Sequence, residues 1–131
     1  MTHDTILSSV FAKLGTISGL PKVFFPNISY TTIPSEYIAV YIIPAPTESV
    51  TIDGVEYQYG IIQIDAVTLD SVGAIKSAQL AEKIISAFRV GTVIATGLKV
   101  HKPSYASIGM NDGAGHYKVP ITIRYQCYDK Y

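Results

Sequence analysis

The segment 50–91 constrains the fold more than any other part of this chain. Asp53-Gly54 between Val50-Thr51-Ile52 and Val55-Glu56-Tyr57 is a strong hairpin signal, because a type I′ turn needs positive φ at both central residues. The hairpin leads into one long strand, residues 55–69, and then into an amphipathic helix over residues 73–88. Fifteen extended residues would span about 50 Å, whereas a compact domain of 131 residues has a diameter of about 36 Å. The sequence therefore predicts a projecting hairpin, and with it assembly through unpaired strand edges.

Composition narrows the class of protein. A length of 131 residues fits one domain, 1–131. Ten basic and ten acidic residues give no net charge, so we expect no nucleic-acid partner. The single Cys127 excludes an intramolecular disulfide, and no apolar run of membrane-spanning length or signal-like start is found, so we expect a soluble protein without a membrane partner in a reducing compartment. The low charged fraction, 15%, favours self-association.

The remaining segments complete the predicted fold. Periodicity predicts a one-faced helix over residues 4–14, and an uncharged strand over residues 37–43 that is central and covered on both faces. The last strand, from His116 to Tyr128, alternates apolar and polar residues, and Pro120 is predicted to place it at a sheet edge. Shorter pieces are a strand over residues 22–25, a hairpin around Thr96-Gly97 and a flexible loop over residues 109–115. The fold class is α+β: a mixed, mainly antiparallel β-sheet with two α-helices packed on it and a projecting β-hairpin.

Ten tyrosines and no tryptophan suggest where a partner would bind. Tyrosine supplies a large amphipathic contact at low entropy cost and is enriched at protein interfaces. On the long strand, Ile62, Ile64 and Ala66 are predicted to face the core, which leaves Tyr57 and Tyr59 on the other face. The candidate oligomer or partner interface consists of Tyr57, Tyr59, Arg124 and Tyr128. The alternative is that these residues merely cover a solvated sheet.

The residues offer little sign of catalysis. His3, His101 and His116 lack metal-ligand spacing, so no metal or cofactor is expected. The 109–115 loop lacks the ending of a phosphate-binding loop. Asp112 with His116 could form an acid-base pair, and Ser104 or Ser107 could be a nucleophile, but we interpret these four as residues of a solvated loop. Cys127 could be a reactive thiol, and we interpret it as an inert core residue. Arg89 could contact a partner, and we interpret it as complementing the dipole of the second helix.

Several of these segments together resemble the tail terminator proteins of long-tailed bacteriophages. They are Tyr59-Gly60-Ile61-Ile62-Gln63-Ile64-Asp65-Ala66, a helix starting at Gly73 with Ala78 and Ala81, Phe88-Arg89-Val90-Gly91-Thr92, and Val119-Pro120-Ile121-Thr122-Ile123-Arg124-Tyr125. The resemblance covers nearly the whole chain. It implies a virion protein without catalytic activity that forms a hexameric ring on the tail tube, stops tube growth and offers a surface to head-completion proteins. The implied partners are other copies of itself, the tail tube protein and a head-completion or connector protein.

Three other functions stay open at this point. A head-tail neck or completion protein would have a similar fold. A small binding module could add a strand to a partner's sheet. A small enzyme would use Asp112 and His116.

Overall fold

A computed structural model of the protein describes residues 3–19, 22–24, 36–44, 48–49, 55–69, 74–107, 109–111 and 115–130. Two helices lie in this part of the chain, α1 (His3–Gly15) and α2 (Ala74–Ala87). The strands are β1 (Lys22–Phe24), β2 (Tyr37–Pro44), β3 (Glu48–Ser49), β4 (Val55–Leu69), β5 (Val93–Ala95), β6 (Leu98–Val100), β7 (Tyr105–Ala106), β8 (Met110–Asn111) and β9 (His116–Lys130).

All of these strands belong to one sheet with the order β1-β2-β4-β9-β6-β5. In addition β3 pairs with β4, and both β7 and β8 pair with β9. The pair β1–β2 is parallel and the other pairs are antiparallel. At the centre, β4 and β9 pair from Val55–Lys130 to Leu69–His116. The predicted α+β class with a mixed, mainly antiparallel sheet is confirmed.

The core lies between one face of this sheet and the two helices. Alternation along β4 and β9 places successive side chains on opposite faces, and directly opposed residues such as Ile62 and Ile123, or Ile64 and Ile121, share the core face. From α1 come Ile6, Val10 and Leu14, and from α2 and the residue after it come Leu80, Ala81, Ile84 and Phe88. The inward-facing residues predicted on both long strands are confirmed.

The prediction of an edge at Pro120 is wrong. Strand β9 pairs with β4 on one side and with β6, β7 and β8 on the other. The backbone N–H of Ser107 donates to the carbonyl oxygen of Pro120 at 2.8 Å, so the nitrogen of Pro120 faces that same second side. There β7 ends at Ala106 and β8 begins at Met110. Proline is tolerated because its missing donor falls between two short strands rather than within a continuous ladder.

The prediction that β2 is covered on both faces is also wrong. Ile38 and Val40 are buried against the helices, but Tyr41 and Ile43 are 44% and 50% exposed. Its position inside the sheet is confirmed, because β2 lies between β1 and β4. An uncharged sequence therefore indicated a strand correctly but did not indicate a second covering layer.

A hairpin does lead into the long strand, since Ser49 pairs with Glu56 and Glu48 with Tyr57. Its predicted turn at Asp53-Gly54 lies outside the described residues. The length of β4 is matched within the chain, because β9 is equally long and pairs with it throughout, while β2 and β3 occupy its other side. The inference that this backbone needs a second copy to pair with is therefore wrong, and evidence for assembly must come from the surface of the sheet.

Candidate assembly surface

One face of the sheet lies opposite the helices, and we call it the outer face. Its members follow from the alternation of strand residues and from the observed register. Large apolar side chains are exposed on it in four strands: Tyr41 and Ile43 on β2, Val93 on β5, Tyr105 on β7 and Met110 on β8. Exposed large apolar side chains that recur on one face of a sheet often mark a binding surface, so the outer face is the candidate assembly surface.

All four residues predicted as interface lie at outer-face positions of β4 and β9. Tyr57 and Tyr128 are directly opposite each other in the register, near the end of the pair; for these two the structure describes the backbone alone. Tyr59 is opposite Gln126, and Arg124 is opposite Ile61. The structure therefore brings the four residues onto one continuous strip.

Tyr59 is held by neighbours in its own chain. The side-chain amide of Gln126 donates to the Tyr59 hydroxyl at 3.3 Å, and the Tyr59 ring centroid lies 5.2 Å from that of His101. The residue is half-buried. These contacts fix the orientation of the ring, which reduces the entropy that it would lose on binding a partner.

Arg124 is positioned in a similar way. Its guanidinium carbon lies 5.7 Å from the ring centroid of Tyr105, within the range of a cation–π contact. Tyr105 itself is exposed. The pair presents an aromatic ring and a fixed positive charge side by side, a combination that is enriched at binding hot spots.

Sequence reasoning missed the exposed residues outside the two long strands. Tyr41 and Ile43 were predicted to be covered, and Tyr105 and Met110 fell in segments read as loop. In the structure β7 and β8 join the edge of β9 and bring Tyr105 opposite Thr122 and Met110 opposite Lys118. The alternation of β9 was the one available signal. It fixes which residues of β9 lie on the outer face, and residues of a neighbouring strand that pair with them lie on the same face.

The charges described on the outer face are mainly positive. Lys99 is exposed, and Lys118 and Arg124 are half-buried. Asp65 also lies at an outer-face position but is only 8% exposed, and it accepts a hydrogen bond from the Gln63 amide at 3.1 Å. A partner would therefore meet exposed apolar side chains together with charges that are mainly positive.

His101 is half-buried and lies next to Tyr59. Its Nδ1 is buried and has no hydrogen-bond partner among the described residues. Desolvation lowers the pKa of the imidazole below 6.5, and nearby Lys102, Arg124 and Lys99 act in the same direction, whereas a hydrogen bond with the backbone of Arg124 acts against it. The arrangement favours a neutral ring.

Two of the residues considered for catalysis make contacts of other kinds. The Ser104 hydroxyl donates to the carbonyl oxygen of Phe88 at 2.7 Å and so satisfies a backbone acceptor after α2. The His116 ring packs edge-on against Tyr37 with centroids 5.7 Å apart, and Asp112 lies outside the described residues.

Cys127 is buried and donates to the Gln58 side-chain oxygen at 3.3 Å. Burial raises the pKa of the thiol, which agrees with the prediction of an inert core residue.

Arg89, which the sequence analysis interpreted as a helix-dipole partner, is exposed and lies two residues beyond the end of α2.

Two other kinds of feature are absent from the described residues. They contain no group of three or more His, Cys, Asp or Glu residues placed to hold a metal ion. None of the helices that they form has both the length and the apolar character needed to cross a membrane.

Comparison with known proteins decides the family. The family model described as "Phage tail terminator protein" matches residues 5–125. The chain belongs to the phage tail terminator family. This match extends from the first turn of α1 to Tyr125 in β9, so it includes nearly all of both helices and most of the outer face.

One solved structure is similar over nearly its whole length. It covers 100% of this chain and 98% of its own, with 26% sequence identity and a TM-score of 0.69. No curated protein matches the sequence. Membership of the terminator family makes this chain a structural component of a phage tail, and the resemblance inferred from the sequence is confirmed.

Proposed function

We propose that this protein caps the phage tail tube as a homo-oligomeric ring, a hexamer, that stops tube polymerisation and provides the surface for head joining. The match to the terminator family over residues 5–125 is the observation that carries the proposal. Its partners are then other copies of the chain, the tail tube protein and a head-completion or connector protein. The ring assembles in the cytoplasm of the bacterial host and remains in the virion.

The outer face supports this proposal physically. A ring subunit must bury surface against its neighbours, and an exposed sheet face with Tyr41, Ile43 and Tyr105 provides apolar area for this. Tyr59 and Arg124 are already oriented by contacts within the chain. Binding at this face would therefore cost little rearrangement.

Electron microscopy of tails assembled without this protein tests the function. A terminator predicts abnormally long tubes, because nothing then stops polymerisation, and added protein should restore a uniform length and a ring at one tube end. Tails of normal length that lack heads would contradict termination and would favour a neck or head-completion role.

A further inference from the structure

His101 contacts two of the strands that form the outer face. Its backbone N–H donates to the carbonyl oxygen of Arg124 on β9 at 3.1 Å. Its imidazole centroid lies 5.2 Å from the ring centroid of Tyr59 on β4, with the two planes tilted by 60°. The hydroxyl of Tyr59 also accepts a hydrogen bond from Gln126. The imidazole is thus part of the packing that orients Tyr59, one of the candidate interface residues.

The surroundings of this imidazole are unfavourable for a positive charge. Its titratable neighbours are Tyr59 on β4, Lys99 on β6, Lys102 just after β6 and Arg124 on β9, and the three cations all disfavour the charged form. No described acidic residue forms an ion pair with His101. In the charged form both nitrogens carry a proton, so the buried Nδ1 is then a donor without an acceptor among the described residues.

We propose that His101 makes assembly through the outer face sensitive to acid. The face binds the next subunit while the imidazole is neutral and releases it when the imidazole is protonated. The inference rests on the proposed ring and on the outer face as one of its contacts.

Two effects of the added proton weaken the contact. The charged imidazole must turn towards water to satisfy Nδ1–H, which removes it from its place beside Tyr59. The tyrosine then regains rotational freedom, which binding has to remove again. The new charge also lies close to Lys99 and Arg124, which occupy outer-face positions, so a partner has one more cation to desolvate.

The direction of the pH dependence follows from the different proton affinities of the two states. Covering the imidazole further on assembly lowers its proton affinity below that in the free subunit, so assembly is favoured by the neutral form. Desolvation already lowers the pKa of His101 below 6.5 in the free subunit. Association should therefore be strongest at higher pH and should fall as the pH falls below 6.5.

The first test compares the association constant at pH 8 and at pH 5 within each protein. We expect the unaltered protein to lose at least about tenfold and His101→Gln to lose less than about twofold, because glutamine does not titrate. The control is His116→Gln: its ring packs against Tyr37 instead of Tyr59, so this variant should keep the full loss. Analytical ultracentrifugation measures association, and circular dichroism checks that the subunits stay folded at both pH values.

A second variant separates titration of His101 from a merely structural role. Lys102 is exposed and is one of the cations that lower the pKa of the imidazole. Lys102→Gln leaves the imidazole in place but lets it bind a proton more readily. The midpoint of the loss of association should then move towards neutral pH, together with the midpoint of the imidazole signal in an NMR titration. An unchanged midpoint of association would contradict the inference.

The outcomes separate this inference from the proposed function. If the unaltered protein assembles equally well at both pH values, or if His101→Gln loses as much association as the unaltered protein, the inference is overturned and the ring stands. If the unaltered protein forms no oligomer at pH 8, in concentrated solution or on tube ends, the ring and the inference are overturned together.

Discussion

Gly60 and Tyr125 are directly opposite each other in the central strand pair, and the tyrosine ring fills the space that a side chain at Gly60 would need. A Cβ atom added to Gly60 would lie 2.4 Å from the Tyr125 hydroxyl oxygen and 2.5 Å from the adjacent ring carbon. Tyr125 is 1% exposed, so its ring has little room to move away. Glycine within this strand is thus explained by packing rather than by a turn.

We expect Gly60→Ala to destabilise the protein by about 1–3 kcal/mol, the usual cost of overpacking a core. Chemical denaturation measures the free energy of unfolding. Gly109→Ala is the matched comparison: its Cβ would lie 2.3 Å from the ring of Tyr117, but that residue is half-buried and its ring can shift, so the cost should be smaller. Equal stability of Gly60→Ala and the unaltered protein would contradict the packing argument.

His101 makes stability depend on pH. Its pKa in the folded protein is lowered below 6.5, chiefly by desolvation. As the pH falls through 6.5, the unfolded chain binds a proton more readily than the folded one, so the contribution of His101 is present at higher pH and is lost towards acid pH.

The measurement is the free energy of unfolding of the unaltered protein and of His101→Gln between pH 8 and pH 5. At pH 8 the imidazole is neutral in both states, so that difference reports packing alone. We expect the unaltered protein to lose more stability than the variant on acidification. Parallel loss in both proteins would show that His101 does not contribute.

Cys127 should be protected from thiol reagents in the folded state. The thiol is buried, its pKa is raised, and it donates to Gln58, so little thiolate is present and reagents have no access. We expect alkylation at least about 100-fold slower than in denaturant, which corresponds to an opening free energy of about 3 kcal/mol or more. Comparable rates in both conditions would show that the end of β9 opens readily.

Ile43 separates assembly from folding. It is half-exposed on the outer face, so Ile43→Thr keeps a β-branched residue and should change monomer stability by no more than about 0.5 kcal/mol. On the proposed ring contact, the same change removes apolar area and should weaken association about five- to tenfold. Denaturation measures the first quantity, and native mass spectrometry measures the second.

Ile75→Thr is the matched control for this substitution, because Ile75 is more exposed but lies on α2. It should leave association unchanged. If both variants weaken association equally, the effect does not come from the outer face.

Local periodicity made much of this fold predictable. Alternation along residues 116–128 and 55–69 indicated the two long strands and their core-facing residues, because a strand must direct successive side chains to opposite faces. The spacing of Ile6, Val10 and Leu14 indicated α1 in the same way. The sequence also placed Tyr57 and Tyr59 on the half-apolar face of one long strand, and Arg124 and Tyr128 on the wet face of the other, before the pairing of these strands was known.

Tertiary structure alone decided which strands are neighbours and which faces are covered. Pairing of β7 and β8 with β9 depends on hydrogen bonds between distant segments, so a proline that suggested an edge lies inside the sheet. The uncharged residues of β2 could equally have met a second layer, yet Tyr41 and Ile43 remain exposed. Periodicity records how a segment divides its own side chains between two faces, whereas the atoms that cover each face come from elsewhere in the fold.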